Sequence, residues 1–440
     1  MNEKHRVALG VGALVAGTLG GLYLIYTVLP SGTIIADVNY YHAWLTYRGG
    51  VNFNTVLVEY PLPGVLALAI PLLFSSGRDA YAVAYVAGMV SLLVFWFIVL
   101  ARGESRQPNA ARSSLSAGSS AQQSGAIWSP TVTWAILVIA MGPIILFRFD
   151  LIPALCVAMA LAVVASSPSL FAHLVAWGTA LKLWPVIVIS LVSGFARRWR
   201  AWGIYAASGA VFIVASVMLG GWERLFSPLT WQSERGLHTE SIAATWIIVA
   251  RMVFPHRWEH ALSQHNSVDF TGPGVTTTTH VVSLVSVGVF VWIGALTIRL
   301  WRRRLTNAVT LSLAAVSIIG LFIVTDKVFS PQYMIWILPA WTIVLSHAAR
   351  SPSSNRPTVR WLNTMTAVLI VATALTQLVY PTLYPYFLSS RAGAGLVVGS
   401  GLVAARNVIL TLWVIAVTRA SWIASNAYPI PVQKESENCE

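Results

Sequence analysis

Charge is what this chain has least of. Only 10% of its 440 residues are Asp, Glu, Lys or Arg, only 15 are acidic, and 56% are hydrophobic. A soluble domain carries roughly a quarter charged residues, so these few cannot clothe a water-facing surface of this size. Lipid must cover most of it. Cysteine is scarce as well: Cys156 falls in an apolar run and Cys439 in the tail. Two such positions offer neither a disulfide framework nor metal-ligand spacing, which sets redox chemistry aside. The sequence also lacks the internal duplication that inverted-repeat transporters display.

What the chain does contain is a succession of apolar runs about 20 residues long, far beyond the alternating strands of an outer-membrane barrel. Helices are the solution, because they satisfy their own backbone where water is absent. The expected fold class is therefore an all-α polytopic membrane protein with about ten full crossings and two or three partial or re-entrant helices. The net charge of +13 does not mean nucleic acid, because of where it lies. Seventeen of the 28 basic residues fall on segments read as cytoplasmic, among them Lys4, Arg6, Arg102, Arg197, Arg198, Arg200, Arg302, Arg303, Arg304, Arg350, Arg356 and Arg419. This positive-inside pattern puts both termini in the cytoplasm, and Val7 to Pro30 reads as an uncleaved signal anchor.

On that topology residues 1–425 make one transmembrane domain, followed by a cytoplasmic tail over 426–440. Loops 31–63 and 221–280 face outward, and 102–125, rich in Ser, Ala, Gln and Arg, is a flexible cytoplasmic linker. Phe171 to Phe195, interrupted by Lys182 and Pro185, reads as a broken re-entrant pair. The unusual polar residues then converge on the outer face. They are Asp37, Tyr40 and Tyr41; Glu59 in Glu-Tyr-Pro-Leu-Pro; Arg148 and Asp150 in Arg-Phe-Asp; the stretch Ser233 to Ser241; and Asp326 to Tyr333. A carboxylate at the membrane boundary suits a general base acting on a hydroxyl. Cations at that depth suit an anionic lipid headgroup. For any one of these residues, snorkelling or helix capping is the bland alternative, and for Lys182 it is a structural ion pair with a buried acid. Their gathering on one face favours a single site.

The ordered set resembles glycosyltransferase family 87, the actinobacterial membrane enzymes of the GT-C fold. It runs from Asp37 through Glu59-Tyr60-Pro61-Leu62-Pro63, Arg148-Phe149-Asp150 and Leu181-Lys182-Leu183-Trp184-Pro185 to Glu234-Arg235-Gly236-Leu237-His238-Thr239-Glu240-Ser241 and Lys327-Val328-Phe329-Ser330-Pro331-Gln332-Tyr333. The resemblance implies a GT-C-like bundle in the cytoplasmic membrane. It implies transfer of a sugar, mannose or arabinofuranose, from a polyprenyl-phosphate donor to a lipid-linked or polysaccharide acceptor of the cell envelope, at the outer face. It makes Asp37 the base of an inverting displacement. With the physical reading, it offers Arg148, Lys182, Arg235 and Lys327 for the donor phosphate. Tyr40, Tyr41, Glu59, Asp150, His238, Glu240, Gln332 and Tyr333 are left for substrate. Here Leu62 separates two prolines that are usually adjacent, and His238 stands where Gln is common. No cofactor is assigned and no metal site, although a divalent ion is not excluded. The rival class is a lipid-linked sugar flippase or other secondary transporter, which needs no carboxylate in the first outer loop.

Three further features read as decoys. His256-Arg257-Trp258-Glu259-His260 has the H-x-x-E-H spacing of some zinc peptidases but follows Pro255 in a loop. Most of the 19 tryptophans suit the interfacial belt. The run Thr276 to Thr279 reads as polar loop.

Overall fold

The computed structural model describes residues 10, 12, 34–46, 52–74, 76–106, 126–351, 355–389 and 391–426. Apart from Gly10, Gly12 and Asn426, the expected signal anchor and tail lie outside the described residues, as does most of the linker. The chain is an all-α polytopic membrane protein. Its main helices are α1 Ala36–Leu45, α2 Leu62–Ala69, α3 Arg78–Ser105, α4 Pro130–Met141, α5 Leu151–Val163, α6 Pro168–Leu181 and α7 Arg198–Glu234, then α8 Thr245–Arg251, α9 Val275–Arg303, α10 Ala308–Val324, α11 Met334–Ala349, α12 Arg356–Gln377 and α13 Ala394–Ala424. Among the described residues five helices are long and apolar enough to cross a membrane: α3, α7, α9, α12 continued to Phe387, and α13. Six shorter apolar helices occupy several of the remaining expected crossings.

Helix starts follow local chemistry. Ser129, Ser167 and Asn355 accept backbone N–H bonds as N-caps with proline in the first turn, and Asn307 caps α10. The centre is α10 with α11, where Ile318, Ile337, Ala340, Trp341 and Val344 are fully enclosed. The periphery is apolar as well: Met218 on α7 is 81% exposed and Leu284 on α9 is 72% exposed. A bundle apolar both inside and out is built for hydrocarbon surroundings.

Several sequence expectations change. Asp37 to Tyr41, expected in a loop, lie on helix α1. Thr276 to Thr279 form the first turn of α9 and are no loop. Outer loop 221–280 contains the end of α7, helix α8 and a hairpin that pairs β1 Glu259–Leu262 with β2 Val268–Thr271. His256 to His260 therefore enter a strand, and the helical geometry that zinc ligation by H-x-x-E-H requires is not formed. His260 packs instead against Phe270 and Phe387. The break at Lys182 is present: α6 ends at Leu181 and a 3-10 helix, Trp184–Gly194, leads away.

Candidate active site

The helix ends bearing Arg303 and Arg350 are tied to Asn426 and Gly103 at one end of the bundle. At the other end a cavity of about 450 Å³ opens. Its walls come from α1, the turn before α2, the breaks at Arg148 and Lys182, the α7 terminus with the segment that follows, the β1–β2 hairpin, the 330–333 turn and the Tyr380–Tyr384 turn. It gathers eleven of the thirteen residues singled out in the sequence. Asp37, Tyr40, Tyr41, Glu59, Arg148 and Lys182 line one side; Arg235, His238, Glu240, Gln332 and Tyr333 line the other. Asp150 and Lys327 stand behind the walls.

Helical spacing explains the first side. Asp37, Tyr40 and Tyr41 are three and four residues apart on α1, so they share a face. Asp37 forms an ion pair with Arg148, whose Nη2 donates to the Tyr380 hydroxyl at 3.0 Å. Lys182 Nζ donates to Asp150 Oδ1 at 2.7 Å and lies 5.5 Å from the Tyr60 ring and 5.8 Å from the Trp336 ring. Asp150, only 1% exposed, also accepts from Trp336 Nε1 at 2.5 Å. The structural pairing weighed for Lys182 thus exists, yet the lysine still borders the cavity.

The Glu59 turn is fixed from outside. Arg224 of α7, 2% exposed, sends Nη2 to the carbonyls of Val56, Leu57 and Tyr60, and Nη1 to Ser227 Oγ. This clamp holds Leu57 in the left-handed region (φ 44°), which a leucine adopts only when its surroundings compel it. Burial pushes the Glu59 carboxyl above its ordinary range. Its hydrogen bond with Tyr40 and the charges of Arg224 and Lys182 oppose that shift. Glu59 Oε2 is buried with no hydrogen-bond partner, at a carboxyl that borders the cavity, a position suited to a substrate hydroxyl.

On the far side His238 Nδ1 accepts from the Glu240 N–H at 3.2 Å. Burial, then the charges of Arg235 and Arg406, lower its imidazole to about 3, so it is neutral at pH 7. Glu240 is tied to Arg406 of α13 at 3.1 Å, with both side chains enclosed. Its carboxylate therefore anchors a helix, and substrate binding by it, as expected from sequence, is restricted to what that anchor leaves. Arg235 forms no ion pair among the described residues, and its Nε is buried without a partner. Lys327 Nζ donates to the Ser233 carbonyl at 2.7 Å, which directs it away from the cavity. Among the described residues no three His, Cys, Asp or Glu side chains are grouped to hold a metal ion.

Sequence reasoning missed Trp231, His265, Tyr380 and Tyr384, which also line the cavity, and the supporting Arg224 and Arg406. The two arginines did carry a signal, since a lone charge in an apolar helix needs a partner. The hairpin that brings His265 over the cavity gave almost none.

An apolar bundle with a charged cavity at one end, a carboxylate beside cations and aromatic walls can hold a polar substrate at the membrane boundary. No curated protein and no solved structure matches the chain significantly. The sequence model of glycosyltransferase family 87, in contrast, matches residues 57–331, more than half of the chain and every cavity wall except α1 and the Tyr380–Tyr384 turn, together with part of the 330–333 turn. The chain belongs to glycosyltransferase family 87 and is a membrane glycosyltransferase.

Proposed function

We propose that this glycosyltransferase moves a sugar, mannose or arabinofuranose, from a polyprenyl-phosphate donor to a hydroxyl of a glycolipid or polysaccharide acceptor. The cavity faces outward across the cytoplasmic membrane, because the arginine-rich ends at the opposite pole follow the positive-inside rule. One observation carries the reading: a single cavity is lined by the carboxylate of Asp37, paired with Arg148, and by the cations Lys182 and Arg235. Asp37 takes the proton of the acceptor hydroxyl as its oxygen bonds to the anomeric carbon. The bond from that carbon to the phosphate oxygen breaks, and the departing phosphate meets the cations. Attack from the side opposite the phosphate inverts the configuration. Glu59, Tyr40 and Gln332 contact sugar hydroxyls.

Lipid extracts from a deletion strain, compared with wild type by mass spectrometry, test the assignment. A hexose deficit identifies mannose and a pentose deficit arabinose; unchanged glycolipids and polysaccharides would refute it. A product linkage of retained configuration would end the single-displacement scheme.

A further inference from the structure

The pole opposite the cavity carries a second concentration of charge. Arg197, Arg198 and Arg200 open α7, and Arg302, Arg303 and Arg304 close α9. The 3-10 helix Trp184–Gly194 leads into the first group and packs against both helices. Gly194 is required where it meets the second group, because a Cβ there would strike the carbonyl oxygen of Leu305, the residue after Arg304. Arg198 spans the joint, its guanidinium 5.7 Å from the Trp199 ring centre and 5.8 Å from that of Trp301.

The described residues supply nothing to balance these six arginines. None of them forms an ion pair. Glu104, the one described acid at this pole, accepts instead from Ser129 Oγ and the Thr131 N–H at the start of α4. Of the six side chains, Arg303 alone donates a hydrogen bond among the described residues, to the Asn426 carbonyl at 2.8 Å. The group on α9 has a local reason, since cations at a helix C-terminus complement the macrodipole. The group on α7 has none. It stands at a helix N-terminus with no acid in the first turn and no side-chain cap, so the backbone adds to its charge. The positive-inside rule accounts for basic residues at this pole, but not for two uncompensated groups brought together.

What lies beside the arginines selects the anion. Trp199 is 74% exposed and Trp301 48% exposed, indoles suited to headgroup depth. Ile298, one turn back from Trp301 on the same face of α9, is 48% exposed as well. Cations, indoles and bare aliphatic surface follow one another into the membrane. A phospholipid meets them in that order, phosphate first and acyl chains after.

We infer that the edge formed by the start of α7 and the end of α9 binds the phosphate headgroup of an anionic phospholipid, with Arg198 and Arg302 as its principal holds. This site is separate from the cavity and does not depend on the transfer reaction proposed above.

The test is native mass spectrometry of the full-length protein in detergent, titrated with dioleoyl phosphatidylglycerol or dioleoyl phosphatidylcholine. Arg198→Gln combined with Arg302→Gln should weaken phosphatidylglycerol binding by about tenfold or more, while phosphatidylcholine binds both proteins alike. Arg350→Gln removes an arginine of the same pole that donates to the Gly103 carbonyl, and should bind phosphatidylglycerol as wild type does. Equal affinity of wild type and double variant for phosphatidylglycerol would overturn the inference. An equal loss in Arg350→Gln would overturn it too, by reducing the effect to overall charge. Displacement of the lipid by equimolar glycerol phosphate would show that the arginines take soluble phosphates. If phosphatidylglycerol binds only after Glu435, Glu437 and Glu440 are replaced by Gln, the chain's own tail is the occupant and the lipid assignment falls. One measurement needs no variant: raising salt from about 0.1 M to about 1 M should strip phosphatidylglycerol from wild type, and binding indifferent to salt would refute the assignment.

Discussion

Replacing Asp37 by Asn removes the proposed base and, at the same time, the counter-ion of Arg148. The two losses can be separated. A positioned general base contributes about 10²–10⁴ in rate, which corresponds to roughly 3–5 kcal/mol of transition-state stabilisation. The counter-ion effect is a stability effect. Arg148 keeps 8% side-chain exposure and Asp37 25%, so Asn at 37 leaves a nearly buried guanidinium with the Tyr380 hydroxyl as its remaining named partner. That should cost roughly 1–3 kcal/mol, short of a fully enclosed pair because water reaches the carboxylate. Asp37→Asn should therefore lower both kcat, by 10²-fold or more, and thermal stability. Adding Arg148→Gln should restore the stability and leave kcat low at saturating donor. Turnover of purified variants in nanodiscs, with unfolding followed by intrinsic fluorescence, reads both quantities. If the double variant recovers turnover to within about tenfold of wild type, Asp37 only neutralises Arg148, and the base must be sought elsewhere in the cavity.

Three further outcomes follow from the supporting residues. Glu59 binds protons more tightly when folded, because burial raises its pKa. Its contribution is thus present below the unfolded value and lost as pH rises through the folded one, so Glu59→Gln should be more stable than wild type at pH 8, equally stable near pH 4, and less active. A stability gain that does not depend on pH would contradict this. Arg406→Met leaves the enclosed Glu240 carboxylate unpaired and should cost roughly 3–5 kcal/mol, read by denaturant unfolding in detergent; a loss below about 1 kcal/mol would show the pair to be unimportant. Arg224→Ala strips the donor from three loop carbonyls at roughly 1–3 kcal/mol for each one left dry, and should speed amide exchange over residues 56–60 and raise KM; unchanged exchange would show that the turn holds itself.

Scarcity of charge made part of the site legible in advance. In a chain with 15 acids, a carboxylate beside a membrane boundary is costly enough to require a reason, so Asp37, Glu59, Arg148, Lys182 and Arg235 could be picked out one by one. Their meeting in one cavity depended on helix direction, which the basic loops indicated. The α1 helix was not legible, because Asp37-Val38-Asn39-Tyr40-Tyr41-His42 carries weak apolar periodicity and owes its fold to the burial of Val38 and Tyr41. The hairpin was missed for a similar reason. Its strands are four residues each, and Asn266 turns between them at φ 52°, a signal too short to stand out from loop. Arg224 and Arg406 were hidden differently: their partners are backbone carbonyls and an acid some 166 residues away in sequence.

The charge arrangement also bears on the order of binding. Two of the cavity cations, Arg148 and Lys182, are paired with Asp37 and Asp150, whereas Arg235 acts on the buried Asp326 carboxyl without forming an ion pair with it. On the proposed scheme the anionic donor meets Arg235 first, because Arg148 and Lys182 are held by their own carboxylates. Once its phosphate is there, Arg148 is offered a second anion, and whatever hold it transfers to the phosphate is withdrawn from Asp37. On the same scheme Asp37, the proposed base, is released to accept a proton when the donor is in place. Acceptor hydroxyl activation without donor would be suppressed by the same ion pair, which gives Arg148 a reason to contact both groups and not the phosphate alone.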